Sequence, residues 1–103
     1  MNKSKNRILL VDDDADLLRL LSMRLGAAGY EVIPAESAEQ AMAQFQAVRP
    51  QIVVTDLRME GMDGLALFEE IRRLNMSVPV IILTAHGSIA EAVEATRKGV
   101  FTF

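Results

Sequence analysis

The amino-acid sequence predicts a single α/β domain, a doubly wound parallel sheet with helices packed on both of its faces. Short apolar runs that end at polar residues are typical of strands covered on both faces. These runs alternate with stretches in which apolar residues recur at helical spacing, which favours parallel strands joined by right-handed crossovers. A chain of 103 residues can bury one modest core and is too short for two ordinary domains.

Five apolar segments are predicted to be the strands of this sheet. In chain order they cover residues 8–11, 31–35, 52–55, 80–83 and 100–103. The four predicted helices between them cover residues 14–28, 37–48, 63–74 and 88–98. Gly29 supplies a signal for the C-terminus of the first helix, and the pairs Ser37/Gln40 and Ser88/Glu91 are capping-box patterns at helix starts.

Composition and charge exclude several classes of function. The formal charge of -3 leaves no basic stripe that could follow a nucleic-acid backbone, so direct nucleic-acid binding by this domain is not expected. The chain has no cysteine, which excludes thiolate nucleophiles and thiolate metal sites. The apolar run after the basic N-terminus is too short for a signal peptide or a membrane span. We therefore expect a soluble cytoplasmic protein.

Polar side chains stand at the carboxyl ends of three predicted strands. Asp12 and Asp13 follow the first strand, Asp56 follows the third, and Thr84 follows the fourth. In a doubly wound sheet these ends share one edge, which is the usual place for a ligand. We expect the four side chains to converge there.

The chemistry of this set favours a phosphoryl acceptor beside a metal ion. Carboxylates that meet in a crevice repel one another unless a cation lies between them, and oxygen ligands suit Mg²⁺. A carboxylate beside such an ion can attack phosphorus and form an acyl phosphate. Asp56 is the candidate nucleophile, Asp12 and Asp13 are candidate metal ligands, and the Thr84 hydroxyl could bond a phosphoryl oxygen.

Each of these residues also has an ordinary structural interpretation. Acidic residues before a helix cap its free amides, which is the role we expect for Asp14 and Asp16. Met59 and Met62 are expected to pack in a loop, and His86 is expected to be solvated rather than catalytic.

Three segments together resemble the receiver domain of two-component response regulators, which is a phosphoacceptor regulatory domain rather than an enzyme in the usual sense. They are LLVDDD, VVTDLRMEGMDGL and PVIILTAHGS. The resemblance implies a flavodoxin-like sheet of strand order 2-1-3-4-5. It implies that Asp56 accepts phosphate from a sensor histidine kinase, that Asp13, Asp56 and the backbone carbonyl of Arg58 bind Mg²⁺, and that Asp12 acts largely through water. It also implies that Thr84 reorients towards the phosphoryl group and that Phe103 is the switch aromatic.

The last third of the chain, TAHGSIAEAVEATRKGVFTF, is similar to the receivers of sigma-54-dependent (NtrC-type) transcriptional activators. In that subfamily the receiver precedes an ATPase domain and a DNA-binding domain. The resemblance therefore implies that any contact with DNA belongs to another part of the full-length protein.

One departure from the family concerns a lysine a few residues beyond the switch aromatic, followed by a fifth helix. The chain ends at Phe103, and Lys98 does not stand at the lysine position, so an incomplete receiver that lacks the last helix is expected. Phosphorylation would then be slow, unstable or uncoupled, whereas Mg²⁺ binding through Asp13 and Asp56 should persist. Self-association is also expected, because the sheet would expose apolar residues near Val100, Phe101 and Phe103.

Two rival functions would use parts of the same pattern. In a haloacid-dehalogenase-like phosphohydrolase, Asp12 would be the nucleophile, Asp14 the general acid and Thr84 the second motif. In a pseudo-receiver the domain would only bind a partner, without phosphorylation. A nucleotide-binding domain is the least favoured alternative, because no glycine-rich phosphate loop follows a strand.

Overall fold

The computed structural model describes residues 6–75, 77–83 and 89–102. Its elements, in chain order, are β1 (Arg7–Val11), α1 (Ala15–Ala27), β2 (Glu31–Ala35), α2 (Ala38–Val48), β3 (Ile52–Asp56), α3 (Gly64–Leu74), β4 (Val80–Leu83), α4 (Ile89–Arg97) and β5 (Phe101–Thr102). Within the described residues the strands form one parallel sheet of order β2-β1-β3-β4-β5. The predicted fold class, and the strand order implied by the resemblance, are confirmed.

Helices cover both faces of the sheet, and the two faces bury unequal cores. On one face, Leu9 and Val53 of the central strands pack against α2, α3 and α4 in the larger cluster, which includes Phe45, Leu67 and Ile71. On the other face, Ile8 and Leu10 pack against Leu18 of α1 in a smaller cluster. Alternate residues of β1 thus face opposite layers, as the pleat of a strand requires. The apolar run in β1 is continuous because both faces are covered.

The helix starts follow the predicted capping chemistry, with one difference. Asp14 caps α1, and Asp63 caps α3 by accepting the amide of Ala66 at 2.9 Å. Ser37 caps α2 through the amide of Gln40 at 3.0 Å. The Gln40 side chain, however, accepts the amide of Glu36 at 2.8 Å, one residue before the cap, so the return bond of the predicted capping box is shifted. The second predicted capping box, at Ser88 and Glu91, involves side chains outside the described part.

The predicted exposure of the last strand is only partly correct. Phe101 is 62 % exposed, but Val100 is 2 % exposed because it packs in the larger core with Ala95 of α4. The prediction that Val100 would be exposed is therefore wrong. Among the helices of the described ranges, none combines the length and apolar character needed to cross a membrane.

Candidate functional site

The carboxyl ends of β1 and β3 bring three aspartates together. Val11 of β1 is in register with Thr55 of β3, which places the next residues, Asp12 and Asp56, side by side. One carboxylate oxygen from each of Asp12, Asp13 and Asp56 lies within 4.8 Å of the other two. Asp12 and Asp56 are buried, whereas Asp13 is exposed. The predicted convergence of these three residues is confirmed, and they are called the carboxylate cluster below.

Backbone contacts orient two members of the carboxylate cluster. The Asp12 amide continues the sheet by donating to the carbonyl of Ala35 at 3.1 Å, and the Asp12 carboxylate accepts the amide of Asp14 at 2.9 Å. The carboxylate of Asp13 accepts the amide of Glu60 at 3.3 Å. The contact from Glu60 joins the loop after β1 to the loop after β3, so both sides of the cluster are held by the fold.

Burial raises the pKa of Asp12 above its ordinary value of 3.8. The hydrogen bond from the Asp14 amide opposes this shift, whereas the nearby charges of Asp56, Asp13 and Asp14 add to it. The carboxylate cluster thus concentrates negative charge at a site where ionisation of Asp12 is already disfavoured. A hard divalent cation would relieve both effects, and the donor set, composed of oxygens, fits Mg²⁺.

Asp14 lies beside the carboxylate cluster but performs a different task. Its carboxylate accepts the amides of Asp16 and Leu17, each at 3.1 Å, which makes it the N-cap of α1. Asp16 stands in the first turn of the same helix, where its charge complements the helix dipole. The predicted capping role of Asp14 is confirmed. A residue committed to two backbone amides is poorly suited to be the general acid that the phosphohydrolase alternative requires.

The structure tests only some of the predictions made for the remaining site residues. Arg58 lies in the loop after β3 with an exposed side chain, and the role of its carbonyl stays a prediction. Met59 and Met62 pack against the larger core, as predicted. Thr84, Phe103 and His86 lie outside the described residues, so the predictions for them stay predictions.

Lys98 does not belong to the carboxylate cluster. It precedes β5, at the amino end of that strand, whereas the cluster lies at the carboxyl ends of β1 and β3. Its ammonium group pairs with Glu69 of α3 at 3.0 Å, and this hydrogen bond raises the pKa of Lys98. The prediction that Lys98 does not stand at the family lysine position is consistent with this geometry.

Two contacts at Asp56 and the next residue, Leu57, were not predicted from the sequence. The hydroxyl of buried Thr55 donates to the carbonyl of Asp56 at 3.0 Å, and the amide of Gly64 donates to the carbonyl of Leu57 at 2.9 Å. A polar residue within an apolar strand was a usable signal for the first contact. The second depends on how α3 is seated on the end of β3, which spacing along the chain does not reveal.

The family model described as "Response regulator receiver domain" matches residues 8–103. The transcriptional regulatory protein GlrR of Escherichia coli (strain K12) is 48 % identical over all of this chain, which covers 23 % of that protein. The C4-dicarboxylate transport transcriptional regulatory protein DctD of Rhizobium meliloti (strain 1021) is 43 % identical over 93 % of this chain and 21 % of its own length. The chain thus spans less than a quarter of the length of these curated relatives.

Solved structures show the same architecture. The receiver domain of NtrX from Brucella abortus superimposes with a TM-score of 0.86 at 37 % identity, over 93 % of this chain and 82 % of that one. The chemotaxis protein CheY4 of Vibrio cholerae, crystallised at low pH, gives a TM-score of 0.88 at 27 % identity, over 96 % and 84 % of the two chains. The similarity therefore extends over nearly the whole chain in both sequence and fold.

Proposed function

Since this chain belongs to the family of response regulator receiver domains, we propose that Asp56 is its phosphoacceptor and that a sensor histidine kinase supplies the phosphoryl group. Receiver domains are regulatory phosphoacceptor domains that interact with histidine kinases. The observation that carries the proposal is the carboxylate cluster, in which Asp56 lies with two further carboxylates at one edge of the sheet.

In the proposed reaction, a carboxylate oxygen of Asp56 attacks the phosphorus of a phosphohistidine. The new P–O bond forms as the P–N bond breaks, the imidazole leaves with the electron pair of that bond, and the product is an acyl phosphate. A bound Mg²⁺ would supply positive charge that offsets the charge of the transferring group. Asp56 is held in place for this attack because it ends β3, a central strand that pairs with β1 on one side and with β4 on the other.

The proposed roles of the other site residues follow from their positions. Asp12 and Asp13 would hold Mg²⁺ together with the phosphoacceptor and the backbone carbonyl of Arg58, with Asp12 acting largely through water. Thr84 directly follows β4, the neighbour of β3, and its hydroxyl would bond the phosphoryl group. Phe103 would respond to that movement as the switch aromatic.

Labelling with a small phosphodonor tests the phosphoacceptor. The chain is incubated with acetyl phosphate and Mg²⁺, where attack by Asp56 breaks the P–O bond and releases acetate, and the modified residue is mapped by mass spectrometry. We expect the label on Asp56, with none in Asp56→Asn. Asp16→Asn is the matched control, because its carboxylate is exposed and lies outside the cluster. Label on Asp12 would favour a phosphohydrolase and contradict the proposal.

Calorimetric titration with Mg²⁺ tests the proposed metal site separately. Heat of binding should be seen for the unmodified chain and for Asp16→Asn, and it should be lost or strongly reduced in Asp13→Asn and Asp56→Asn. Mg²⁺ binding that survives both substitutions would remove the metal from the carboxylate cluster. Mg²⁺ binding without any labelling of Asp56 would favour the alternative of a receiver that acts only as a binding module.

We further propose that the domain controls a transcription-activating output in the full-length protein and that it self-associates. Curated relatives named as transcriptional regulators support the transcription-activating output.

Self-association is supported by exposed Phe101 and Val93, on β5 and the adjacent helix α4. Light scattering should detect dimers whose population falls in Phe101→Glu, whereas a monomer at high concentration would contradict self-association.

A further inference from the structure

We propose that Gly64 is a positioning residue for Asp56, because its missing side chain allows the first turn of α3 to rest directly on the backbone of the proposed phosphoacceptor. The inference depends on the proposed function, since it assigns Gly64 a task in metal binding and phosphoryl acceptance. It goes further by naming a residue outside the carboxylate cluster on which the geometry of the cluster depends.

The contact between Gly64 and Asp56 leaves no room for a side chain. A Cβ at Gly64 would overlap the carbonyl oxygen of Asp56 and would lie 3.1 Å from both the carbonyl carbon of Asp56 and the Cα of Leu57. All of these neighbours are backbone atoms at the end of a central strand, so they cannot rotate away as the tip of a flexible side chain could. The hydrogen of Gly64 that takes the Cβ direction therefore points at the Asp56 carbonyl.

Backbone conformation does not explain the glycine. Among the glycines of the described residues, positive φ angles occur at Gly29, Gly61 and Gly99, and not at Gly64. Gly64 is the first residue of α3 and is buried, where any L-residue could adopt the backbone and glycine is the poorer helix former. The requirement for glycine is steric, and the three atoms nearest to an added Cβ are backbone atoms of Asp56 and Leu57.

Two contacts join this helix start to the strand end, and a third lies within the strand. The Gly64 amide donates to the Leu57 carbonyl at 2.9 Å, the Thr55 hydroxyl donates to the Asp56 carbonyl at 3.0 Å, and Gly64 itself covers that carbonyl. The peptide that follows the Asp56 Cα is thus held from both sides. Since the carboxylate is attached to the same Cα, a displaced carbonyl would change the orientation of the side chain relative to Asp12 and Asp13.

The central test is Gly64→Ala, examined for Mg²⁺ affinity by calorimetry and for the rate of Asp56 labelling by acetyl phosphate. Outer contacts that orient metal ligands, and misplacement of reacting atoms by about 1 Å, each cost on the order of 10- to 100-fold. We expect Gly64→Ala to weaken Mg²⁺ binding and to slow labelling by about 10-fold or more. Amide NMR shifts at residues 55–57 should change relative to the unmodified chain.

Two control variants separate positioning from folding. Gly26→Ala replaces a helical glycine in α1 whose Cβ would have no neighbour within 4 Å, so Mg²⁺ affinity and labelling should be unchanged. Ile71→Val removes a methylene group from the buried part of α3, two turns away from the strand end. It should lower stability while leaving the Mg²⁺ affinity of the folded protein unchanged. This result would show that a loss of packing in α3 does not by itself weaken Mg²⁺ binding.

The outcomes are distinguishable from failure of the proposed function. If the unmodified chain is not labelled on Asp56, the proposed function fails first. If it is labelled and a folded Gly64→Ala binds Mg²⁺ and accepts phosphate at the same rate, only the positioning role is overturned. If Gly64→Ala is unfolded, the measurements are repeated in a background stabilised by Gly26→Ala. A protein that stays unfolded there also contradicts the proposal, since Gly64 would then serve the fold as a whole.

Discussion

Asp12 is a buried carboxylate, and the negative charges of nearby aspartates disfavour its ionised form. It is 3 % exposed, and burial is the largest cause of the increase in its pKa. The sequence places an aspartate at the end of a buried run, which predicts the residue type and the edge of the sheet. It does not predict that Asp12 is buried while the adjacent Asp13 is exposed, because that difference depends on the strands and loops that surround them.

The raised pKa of Asp12 predicts how stability and Mg²⁺ binding depend on pH. In the folded protein Asp12 holds its proton at a pH where the unfolded chain, with a pKa near 3.8, has lost it. Without divalent cations, the stability contributed by this proton is therefore greatest below 3.8 and is lost as pH rises through the folded pKa. Mg²⁺ affinity should change in the opposite sense, weakening as pH falls through the same range, because protons compete for the ligand.

Asp12→Asn tests both statements. The neutral amide should raise the free energy of unfolding near neutral pH in the absence of divalent cations, while weakening Mg²⁺ binding. Thermal unfolding with and without Mg²⁺, measured across the acidic range, provides the comparison, and Asp16→Asn should keep the Mg²⁺ dependence of the unmodified chain because Asp16 lies outside the carboxylate cluster. A stability of Asp12→Asn that matches the unmodified chain at every pH would refute the assigned shift.

At the scale of elements, the helix starts could be predicted from nearby residues more readily than the C-terminus of α2. Serine and aspartate caps were predictable because each side chain accepts an amide two or three residues ahead, a spacing that can be read from the sequence. The C-terminus of α2 was less predictable. Arg49 ends this helix in the left-handed region at φ 50°, where glycine is the usual residue.

Replacement of Arg49 by glycine should stabilise the domain. The left-handed conformation costs a residue with a Cβ on the order of 1 kcal/mol, and glycine removes this cost. Part of the resulting gain in stability is offset by the greater freedom of glycine in the unfolded chain. We expect Arg49→Gly to raise the free energy of unfolding by about 0.5 kcal/mol. Urea denaturation measures the change, and Arg49→Ala is the control because it removes the side chain and keeps the Cβ. An equal gain in both variants would assign the effect to the side chain instead.

At the scale of the whole molecule, the order of the strands decides which residues share a core. Leu9 and Leu10 are neighbours in the sequence, but they belong to the larger and the smaller cluster on opposite faces of the sheet. The larger cluster joins Leu9 with Val53, Leu67 and Ile82, which come from distant segments of the chain. The stability of the domain therefore depends most on residues that face the α2–α3–α4 layer.

Truncation of Leu9 should measure the contribution of the larger core. Leu9 is completely buried, so Leu9→Ala should lower the free energy of unfolding by about 2–5 kcal/mol through lost burial and a residual cavity. Leu20→Ala is the matched control, because Leu20 is 46 % exposed on α1 and its truncation should cost about 0.5 kcal/mol or less. Urea unfolding with an unchanged dependence on denaturant concentration tests the prediction, and equal costs at the two positions would contradict the assignment of the core.

The sequence alone determined the types of the elements, most of their bounds, the helix caps and the acidic residues at the ends of strands. These properties depend on spacing along the chain, through the periodicities of helix and strand and through bonds between near neighbours. Tertiary structure decided that Val100 is buried, that Asp13 is exposed beside buried Asp12, and that Gly64 touches the Asp56 carbonyl. Those properties depend on which distant segments the fold brings into contact, and the spacing of residues along the chain does not show which segments these are.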